Sequence, residues 1–311
     1  MVNLSRRAFL EFCAKITAII GLESTFTPQI AEAISKLTSN APPVIWLQGQ
    51  SCSGCSVSLL NSCDPGPSEI ITQYISLKFH GTLSTATGET AMDALKNLIN
   101  AGKYFLVFEG SIPSKMPEAC VIGHIPISTL LKNAAENAEG IIAVGACASF
   151  GGIPAAENNP TGAVSVPHFL KDEKINKPTI ILPGCPAHPD WIVGTLVHMI
   201  KFGIPPLDSK GRPKMFFSKL IHDQCPRFSD YERENFAKTF TDNGCLFRLG
   251  CIGPNTYADC TIRYWNSKTN SCINAGAPCI GCASENFATK TNFPFFRKGE
   301  QSRMLEEKKI S

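Results

Sequence analysis

The sequence carries little charge of either sign. Lys and Arg together number 29, Asp and Glu 26, and the formal net charge is only +3 over 311 residues. The basic residues are scattered along the chain and form no stripe. A protein that neutralises nucleic-acid phosphates presents clustered Lys and Arg, so we expect no nucleic acid among the partners.

Long hydrophobic runs are also missing. No apolar stretch approaches the ~20 residues that cross a bilayer, and the final segment, 299–311, is rich in charged residues. We therefore expect no membrane span in the mature chain. An apolar fraction of 43% is still ordinary for a folded protein, and the length predicts about two domains of roughly 150 residues each.

The first 33 residues are typical of an export signal. Arg6 and Arg7 lie in a Ser-Arg-Arg-Ala-Phe-Leu motif of twin-arginine type, and a mildly apolar stretch and a small-residue site ending at Ala33 follow in order. An amphipathic helix with two surface arginines is the alternative. We predict a twin-arginine signal peptide over 1–33, cleaved after Ala33, and a periplasmic protein that is exported folded. Metal could then bind the thiols before they meet an oxidising compartment.

Residues 34–205 alternate between strand and helix patterns. Short apolar runs of buried-strand type each lead into a turn that contains glycine, and helical segments lie between them. The predicted strands are 44–47, 104–108, 141–144 and 179–182, and the predicted helices are 56–61, 89–100 and 127–137. This alternation predicts an α/β domain with a parallel sheet and helices on both faces.

Four cysteines follow three of these strands. Cys52 and Cys55 come after the first strand, Cys147 after the third and Cys185 after the fourth. The carboxyl ends of parallel strands meet at one edge of a sheet, so the four thiols are expected to converge on one site. The alternative, a redox dithiol of Cys-x2-Cys type, would not need Cys147 and Cys185.

Residues 206–311 are irregular and rich in potential metal ligands. Seven cysteines and one histidine fall in a compact run: His222, Cys225, Cys245, Cys251, Cys260, Cys272, Cys279 and Cys282. Soft thiolates at close spacing favour iron-sulfur clusters or zinc, and eight ligands suffice for two four-coordinate sites. A loop-rich segment of this size buries too little apolar surface to be stable alone, so bound metal is expected to stabilise its fold. Spacing alone leaves the division into two sites open, with structural zinc and a disulfide framework as alternatives.

Several motifs together resemble the small, electron-transferring subunit of nickel-iron hydrogenases. They include Cys52-Ser-Gly-Cys55, Gly145-Ala-Cys147, Pro183-Gly-Cys185-Pro186, Ile221-His222 with Cys225-Pro226, and Pro278-Cys279-Ile-Gly-Cys282, and the match runs from Val44 to about Phe296. The resemblance implies a flavodoxin-like first domain with a parallel sheet and a loop-rich C-terminal iron-sulfur domain. It also implies that this chain has no catalytic residue of its own.

The resemblance further implies three 4Fe-4S clusters. The proximal cluster would be held by Cys52, Cys55, Cys147 and Cys185. The distal cluster would be held by His222, Cys225, Cys245 and Cys251. The medial cluster would be held by Cys260, Cys272, Cys279 and Cys282. Many family members have proline at the position of Cys272 and a three-iron medial cluster, so a fourth thiolate here predicts a 4Fe-4S cluster, as in the nickel-iron-selenium branch.

Other positions are informative through the same resemblance. Oxygen-tolerant members carry two extra cysteines where this chain has Gly54 and Gly152, so their modified proximal cluster is not expected. Cys63 and Cys120 are spare thiols, either small buried residues or a disulfide pair. His188, although close to Cys185 in sequence, is expected to be a structural or hydrogen-bonding residue.

The resemblance also implies partners. Dihydrogen would be split or formed in a separate nickel-iron or nickel-iron-selenium large subunit, and this chain would relay electrons between it and an external acceptor in an uptake hydrogenase. That acceptor is expected to be a multihaem cytochrome c, with a membrane quinone module as the alternative. A stand-alone cluster-bearing electron carrier and a disulfide-stapled exported binding protein are the competing functions.

Overall fold

The protein is described by a computed structural model that covers residues 43–288 apart from 64, 72–74 and 157, together with a few isolated positions between 13 and 27. The predicted twin-arginine pair and the cleavage site at Ala33 lie outside these residues, so the signal peptide remains a prediction. No helix in the described part of the chain is long and apolar enough to cross a membrane.

A five-stranded parallel sheet forms the centre of the molecule. The strands, in chain order, are β1 (Pro43–Gln48), β2 (Ser76–His80), β3 (Phe105–Glu109), β4 (Ile112–Pro113), β5 (Val121–Ile122), β6 (Ile125–Pro126), β7 (Gly140–Val144), β8 (Ala163–Val164) and β9 (Thr179–Leu182). The main sheet has the order β2-β1-β3-β7-β9, and all of its neighbours run parallel. Counted within this sheet, the order is 2-1-3-4-5, the flavodoxin-like arrangement. Two small antiparallel pairs, β4-β8 and β5-β6, lie outside it.

Helices connect and cover the strands. They are α1 (Gly54–Leu60), α2 (Pro67–Glu69), α3 (Gly88–Ala101), α4 (Ile127–Asn137), α5 (Gly145–Phe150), α6 (Val166–Asp172), α7 (Pro189–Phe202), α8 (Lys214–Phe217), α9 (Phe228–Glu232) and α10 (Cys260–Arg263). Short 3₁₀ turns occur at Pro117–Ala119, Ile153–Ala155, His222–Gln224, Leu246–Leu249 and Gly253–Asn255. The predicted α/β class is therefore confirmed, and each predicted strand and helix overlaps an observed one.

Strand β2 was missed by the sequence reading for a physical reason. It reads Ser-Leu-Lys-Phe-His and pairs only with β1, at the edge of the sheet. Central strands such as β3 are buried on both faces and have continuous apolar runs. Only Phe79 and His80 of the five residues of β2 are buried, so this strand has no continuous apolar run to detect.

Successive residues of the central strands pack into two different hydrophobic clusters. Val44 and Trp46 of β1 belong to one cluster, which helices α1 and α7 cover, and Ile45 and Leu47 belong to the other, which helices α3, α4 and α6 cover. Side chains alternate across a strand, so each face of the sheet receives every second residue.

The region after α7 is loop-rich, as predicted. Between 206 and 288 the structure has only the three short helices α8, α9 and α10 and isolated turns. Its apolar residues Phe216, Ile221, Ala258 and Ile273 join the cluster on the first face of the sheet. The regular α/β pattern ends with α7 at Phe202, while the division into two domains at residue 205 remains a prediction.

A polar clamp links the start of α7 to the end of α10. Arg263 contacts Asp190 at 3.2 Å and Asp259 at 2.6 Å, and the Trp191 indole donates to Asp259 at 2.7 Å. The Nδ1 atom of His188 accepts a hydrogen bond from the Asp190 amide. Its Nε2 atom therefore carries the proton and donates to the Tyr264 carbonyl oxygen at 2.6 Å. His188 is thus a hydrogen-bonding residue, as the sequence reading expected, and burial is the main cause that lowers its pKa.

Replacing Arg263 tests the clamp. The Arg263→Met substitution leaves two carboxylates less than a quarter exposed without their cation, and we expect it to lower the free energy of unfolding by about 3 kcal/mol. Lys96→Met is the control, since Lys96 and Asp93 form a pair 3.8 Å apart in which both side chains are more than half exposed. Its effect should stay below about 1 kcal/mol. Anaerobic urea titrations measure both, and equal midpoint shifts would contradict a stabilising clamp.

Candidate metal centres

The four cysteines predicted at the strand ends do converge. Cys52 follows β1, Cys55 lies in the first turn of α1, Cys147 lies in α5 directly after β7, and Cys185 follows β9. Burial raises the pKa of Cys147 and of Cys185 to about 11, and the nearby Cys52 thiol contributes to both shifts. Burial also raises the pKa of Cys55, with further contributions from Cys147 and Cys185. These four thiols therefore share one site.

A buried carboxylate beside this site was not anticipated. Glu109 ends β3, which lies between β1 and β7, and it is only 2% exposed. One of its carboxylate oxygens accepts hydrogen bonds from the Cys55 amide and the Ser51 hydroxyl, both at 3.0 Å, and the other accepts from Ser56. The signal was present in the sequence, since a single acidic residue directly follows the apolar run 104–108.

Glu109 is held by a wider polar network. The Trp46 indole donates to it at 3.2 Å, and the Ser56 hydroxyl bridges it to the Nε2 atom of His80 at 3.1 Å. Because His80 Nδ1 accepts from the Thr82 amide, its Nε2 carries the proton and donates to Ser56. Burial lowers the pKa of His80 to about 4, so its ring is neutral at pH 7. His80 therefore supplies no positive charge to balance the Glu109 carboxylate.

The histidine and the first three cysteines of the C-terminal run form a second group. His222, Cys225, Cys245 and Cys251 all line one cleft, and no other cysteine or histidine lines it. The cleft encloses only about 10 Å³, so the set of donor atoms, and not the volume, is what suits a metal centre here. The Arg227 amide also points at the Cys225 sulfur, 3.4 Å away.

Aromatic rings surround His222. The ring centroids of Tyr231 and Phe228 lie 4.5 Å and 5.1 Å from that of the imidazole, both in edge-on geometry. Phe247, which also lines the cleft, packs against Tyr231 at 5.6 Å. These contacts fix the orientation of the imidazole through ring packing, an arrangement that spacing in the sequence does not reveal.

The remaining four cysteines line a larger cavity. Cys260, Cys272, Cys279 and Cys282 surround a space of about 460 Å³, which also reaches Cys185 of the first group. A single water takes up only ~30 Å³ of liquid volume, so this space suits a polynuclear group. Within the described ranges, no three His, Cys, Asp or Glu side chains lie close enough to hold one metal ion. The volume of this cavity and its four thiols are compatible with a cluster of several ions.

The three groups adjoin one another in a fixed order. The Cys185 thiolate raises the pKa of Cys282, although burial is the larger cause, so the first group borders the cavity group. The Ile252 amide, directly after Cys251, donates to the Cys279 carbonyl at 2.8 Å, so the cleft group borders the cavity group on the other side. The cavity group therefore adjoins both of the other groups.

Cys52 and Cys272 are exposed residues, but burial is a property of most of the thiols in the three groups. It is the largest cause of the raised pKa of Cys225, Cys245, Cys251, Cys260, Cys272 and Cys279. All fourteen cysteines lie among the described residues and none forms a disulfide. Thiols that resist ionisation on their own become thiolates when a metal centre supplies positive charge.

The prediction for the spare thiols is wrong for Cys63, which is neither buried nor paired with Cys120 in a disulfide. The Cys63 thiol is exposed and contacts the Ser267 hydroxyl at 2.7 Å, and Cys120 is partly buried against the second face of the sheet. A β-carbon added at Gly54 or Gly152 would lie 3.0 Å from the Cys52 sulfur and 2.8 Å from the Cys147 sulfur, respectively. Both glycines therefore directly border the first group of thiols.

Two family models match the chain. One, described as NADH ubiquinone oxidoreductase, 20 Kd subunit, matches residues 52–199. The other describes the C-terminal part of the NiFe/NiFeSe hydrogenase small subunit and matches residues 217–296. Together they cover the strand-end cysteines and the C-terminal cysteine run.

Curated relatives match over nearly the whole chain. The periplasmic NiFeSe hydrogenase small subunit of Desulfomicrobium baculatum is 42% identical, over 92% of this chain and 96% of the relative. The periplasmic NiFe hydrogenase small subunit of Solidesulfovibrio fructosivorans is 38% identical, over 96% of this chain and 94% of the relative.

Solved structures agree with the sequence comparisons. A chain of the reduced, active Ni-Fe-Se hydrogenase from Desulfomicrobium baculatum superposes with a TM-score of 0.77 at 44% identity, over 80% of this chain and 96% of that one. A flavodoxin-like sheet with thiols at its carboxyl edge, followed by a cysteine-rich loop region, defines the iron-sulfur subunit of an oxidoreductase. The chain belongs to the NiFe/NiFeSe hydrogenase small-subunit family.

Gly145→Ala tests the first group of thiols. Gly145 has φ +88°, and an added β-carbon would lie 2.5 Å from the Cys55 sulfur, so the substitution should displace that thiol. We expect the purified protein to lose about four iron atoms per chain, the content of one cluster. Gly203→Ala is the control, because Gly203 also has a positive φ, +76°, but nothing lies within 4 Å of the added carbon. Iron and sulfide analysis decides, and equal losses in both variants would show a backbone effect only.

Proposed function

We propose that this chain is the electron relay of a periplasmic nickel-iron or nickel-iron-selenium uptake hydrogenase. In this proposal it carries three 4Fe-4S clusters and passes electrons between the active site of a large subunit and an external acceptor. The names of the relatives support the periplasm as the compartment. A twin-arginine signal over 1–33 is part of the same proposal.

The observation that carries this proposal is the order of the three groups of ligands. The twelve proposed ligands fall into three groups, and the group that lines the large cavity adjoins the other two. Adjoining metal centres suit electron transfer, because electrons must pass from one centre to the next. Metal sites that only stabilise the fold do not need to adjoin one another. Bound iron-sulfur clusters would supply one-electron redox chemistry along this row of centres.

The side chains of this chain tune each position in the row. At the proposed distal site, His222 replaces an anionic thiolate with a neutral imidazole, which raises the potential of that end. At the proposed medial site, Cys272 supplies a fourth thiolate, which adds negative charge and lowers the potential. Backbone amides that point at Cys225 and Cys279, both at 3.4 Å, stabilise negative charge on the sulfurs.

Exposed apolar side chains beside the proposed proximal site support docking of a large subunit. Val57 and Leu60 of α1 are 54% and 39% exposed, and Ile153, next to Gly152, is 51% exposed. A permanent partner buries such residues in an extensive apolar interface. At the opposite end of the row, Phe247 lines the cleft of His222 and is 41% exposed, which suits contact with an acceptor such as a multihaem cytochrome c.

Purification from the native host tests the assignment as a whole. We expect a complex with a nickel-containing large subunit, about twelve iron atoms and as many sulfides per small chain, and dihydrogen-dependent reduction of a dye. A monomeric chain that retains its iron but has no nickel-containing partner would favour a stand-alone electron carrier. Near-zero iron after anaerobic purification would end the cluster proposal altogether.

Cys272 is the residue that distinguishes a four-iron from a three-iron medial cluster. In the Cys272→Ala variant only three thiolates remain, so we expect the loss of about one iron and the appearance of an oxidised three-iron signal in electron paramagnetic resonance. Cys63→Ala is the matched control, because Cys63 is an exposed cysteine outside all three groups. A three-iron signal already present in the intact, unsubstituted protein would show that the four-iron prediction is wrong.

A further inference from the structure

Two buried hydroxyl groups in the described residues have no hydrogen-bond partner, those of Thr195 and Thr261. Their surroundings differ. Thr195 lies in α7, is fully buried and does not line the large cavity. Thr261 is 4% exposed, directly follows Cys260, and lines the cavity together with Cys272, Cys279 and Cys282.

An unpaired hydroxyl is an unusual feature beside this cavity. A buried polar group without a partner destabilises a fold, and the great majority of such groups in proteins are hydrogen-bonded. Threonine in a helix commonly donates to the carbonyl three or four residues earlier. Thr261 is the second residue of α10, so those carbonyls lie before the helix, and its hydroxyl bonds to none of them. Thr261 lines the cavity that the four thiols surround, so a group bound by those thiols is the candidate partner for its hydroxyl.

We infer that the Thr261 hydroxyl donates a hydrogen bond to a sulfur atom of the proposed medial cluster and raises its reduction potential. This inference rests on the proposed function. An added electron increases the negative charge on the cluster sulfurs, so a donor stabilises the reduced form more than the oxidised form. Thr261 thereby offsets the extra negative charge that the Cys272 thiolate brings to the same site.

Replacing the hydroxyl by a methyl group tests the inference. In the purified complex with its large subunit, Thr261→Val should shift the electron equilibrium of the medial cluster about threefold to tenfold toward the oxidised form. This is a lower potential by ~28 to 59 mV, at 59 mV per tenfold for one electron. Redox titration followed by electron paramagnetic resonance measures it. Thr261→Ser keeps the hydroxyl and should keep the potential.

Thr195→Val is the matched control, because it removes the other unpaired hydroxyl at a position that does not line the cavity. It should leave the medial potential unchanged. Electron-nuclear double resonance adds a second measurement: one exchangeable proton coupled to the medial cluster should be lost in Thr261→Val and retained in Thr261→Ser. A purely structural role for Thr261 would not produce this pattern.

The outcomes separate this inference from the proposed function. A medial cluster with unchanged potential and unchanged proton coupling in Thr261→Val overturns the role of Thr261 and leaves the relay intact. Absence of any medial cluster from the unsubstituted complex overturns both. If Thr261→Val and Thr261→Ala lose the medial cluster while Thr261→Ser holds it, the hydroxyl is required at that site. Loss in all three variants, including Thr261→Ser, which keeps the hydroxyl, shows that the site depends on the shape of the whole threonine side chain and overturns the inference.

Discussion

The free-energy cost of ionising thiols that are buried close together is the constraint on which this structure depends. Burial raises the pKa of nearly every thiol in the three groups, and neighbouring thiolates raise several of them further. Such groups are stable together in their ionised form only around a positively charged centre. The loop-rich region has little regular structure of its own, so its folding and its proposed metal binding are one process. The α/β region differs, because its sheet is packed on both faces by apolar side chains.

Much of the fold and of the first group of ligands is readable from the sequence. Central parallel strands are buried on both faces and therefore appear as continuous apolar runs, and their carboxyl ends must share an edge, which is why Cys147 and Cys185 could be placed beside Cys52 in advance. The division of the C-terminal ligands was different. Spacing left it open, and only the family resemblance supplied it, because irregular loops have no periodicity that fixes which side chains meet.

Other features of the site depend on tertiary contacts and leave weak signals in the sequence. Glu109 is one acidic residue after an apolar run, and nothing local shows that it collects hydrogen bonds from Trp46, Ser51, Cys55 and Ser56. The same holds for the rings around His222 and for Thr261, whose significance is the lack of a partner in three dimensions. Edge strand β2 was missed because partial exposure removes the apolar run that marks its neighbours.

The polar clamp between α7 and α10 has a consequence for the kinetics of the relay. His188 and Asp190 follow Cys185 closely in sequence, and Arg263 follows Cys260. Arg263 donates to Asp190, and His188 hydrogen-bonds to the residue after Arg263, so the two segments are joined. Ligands of two neighbouring proposed centres are therefore held on one rigid unit. In the proposed relay, electron tunnelling between them would cross a gap that these contacts hold constant, so its rate would depend on distance and driving force and not on solvent viscosity. The diffusive steps would then occur at the two outer proposed sites, where electron-transfer partners bind and dissociate.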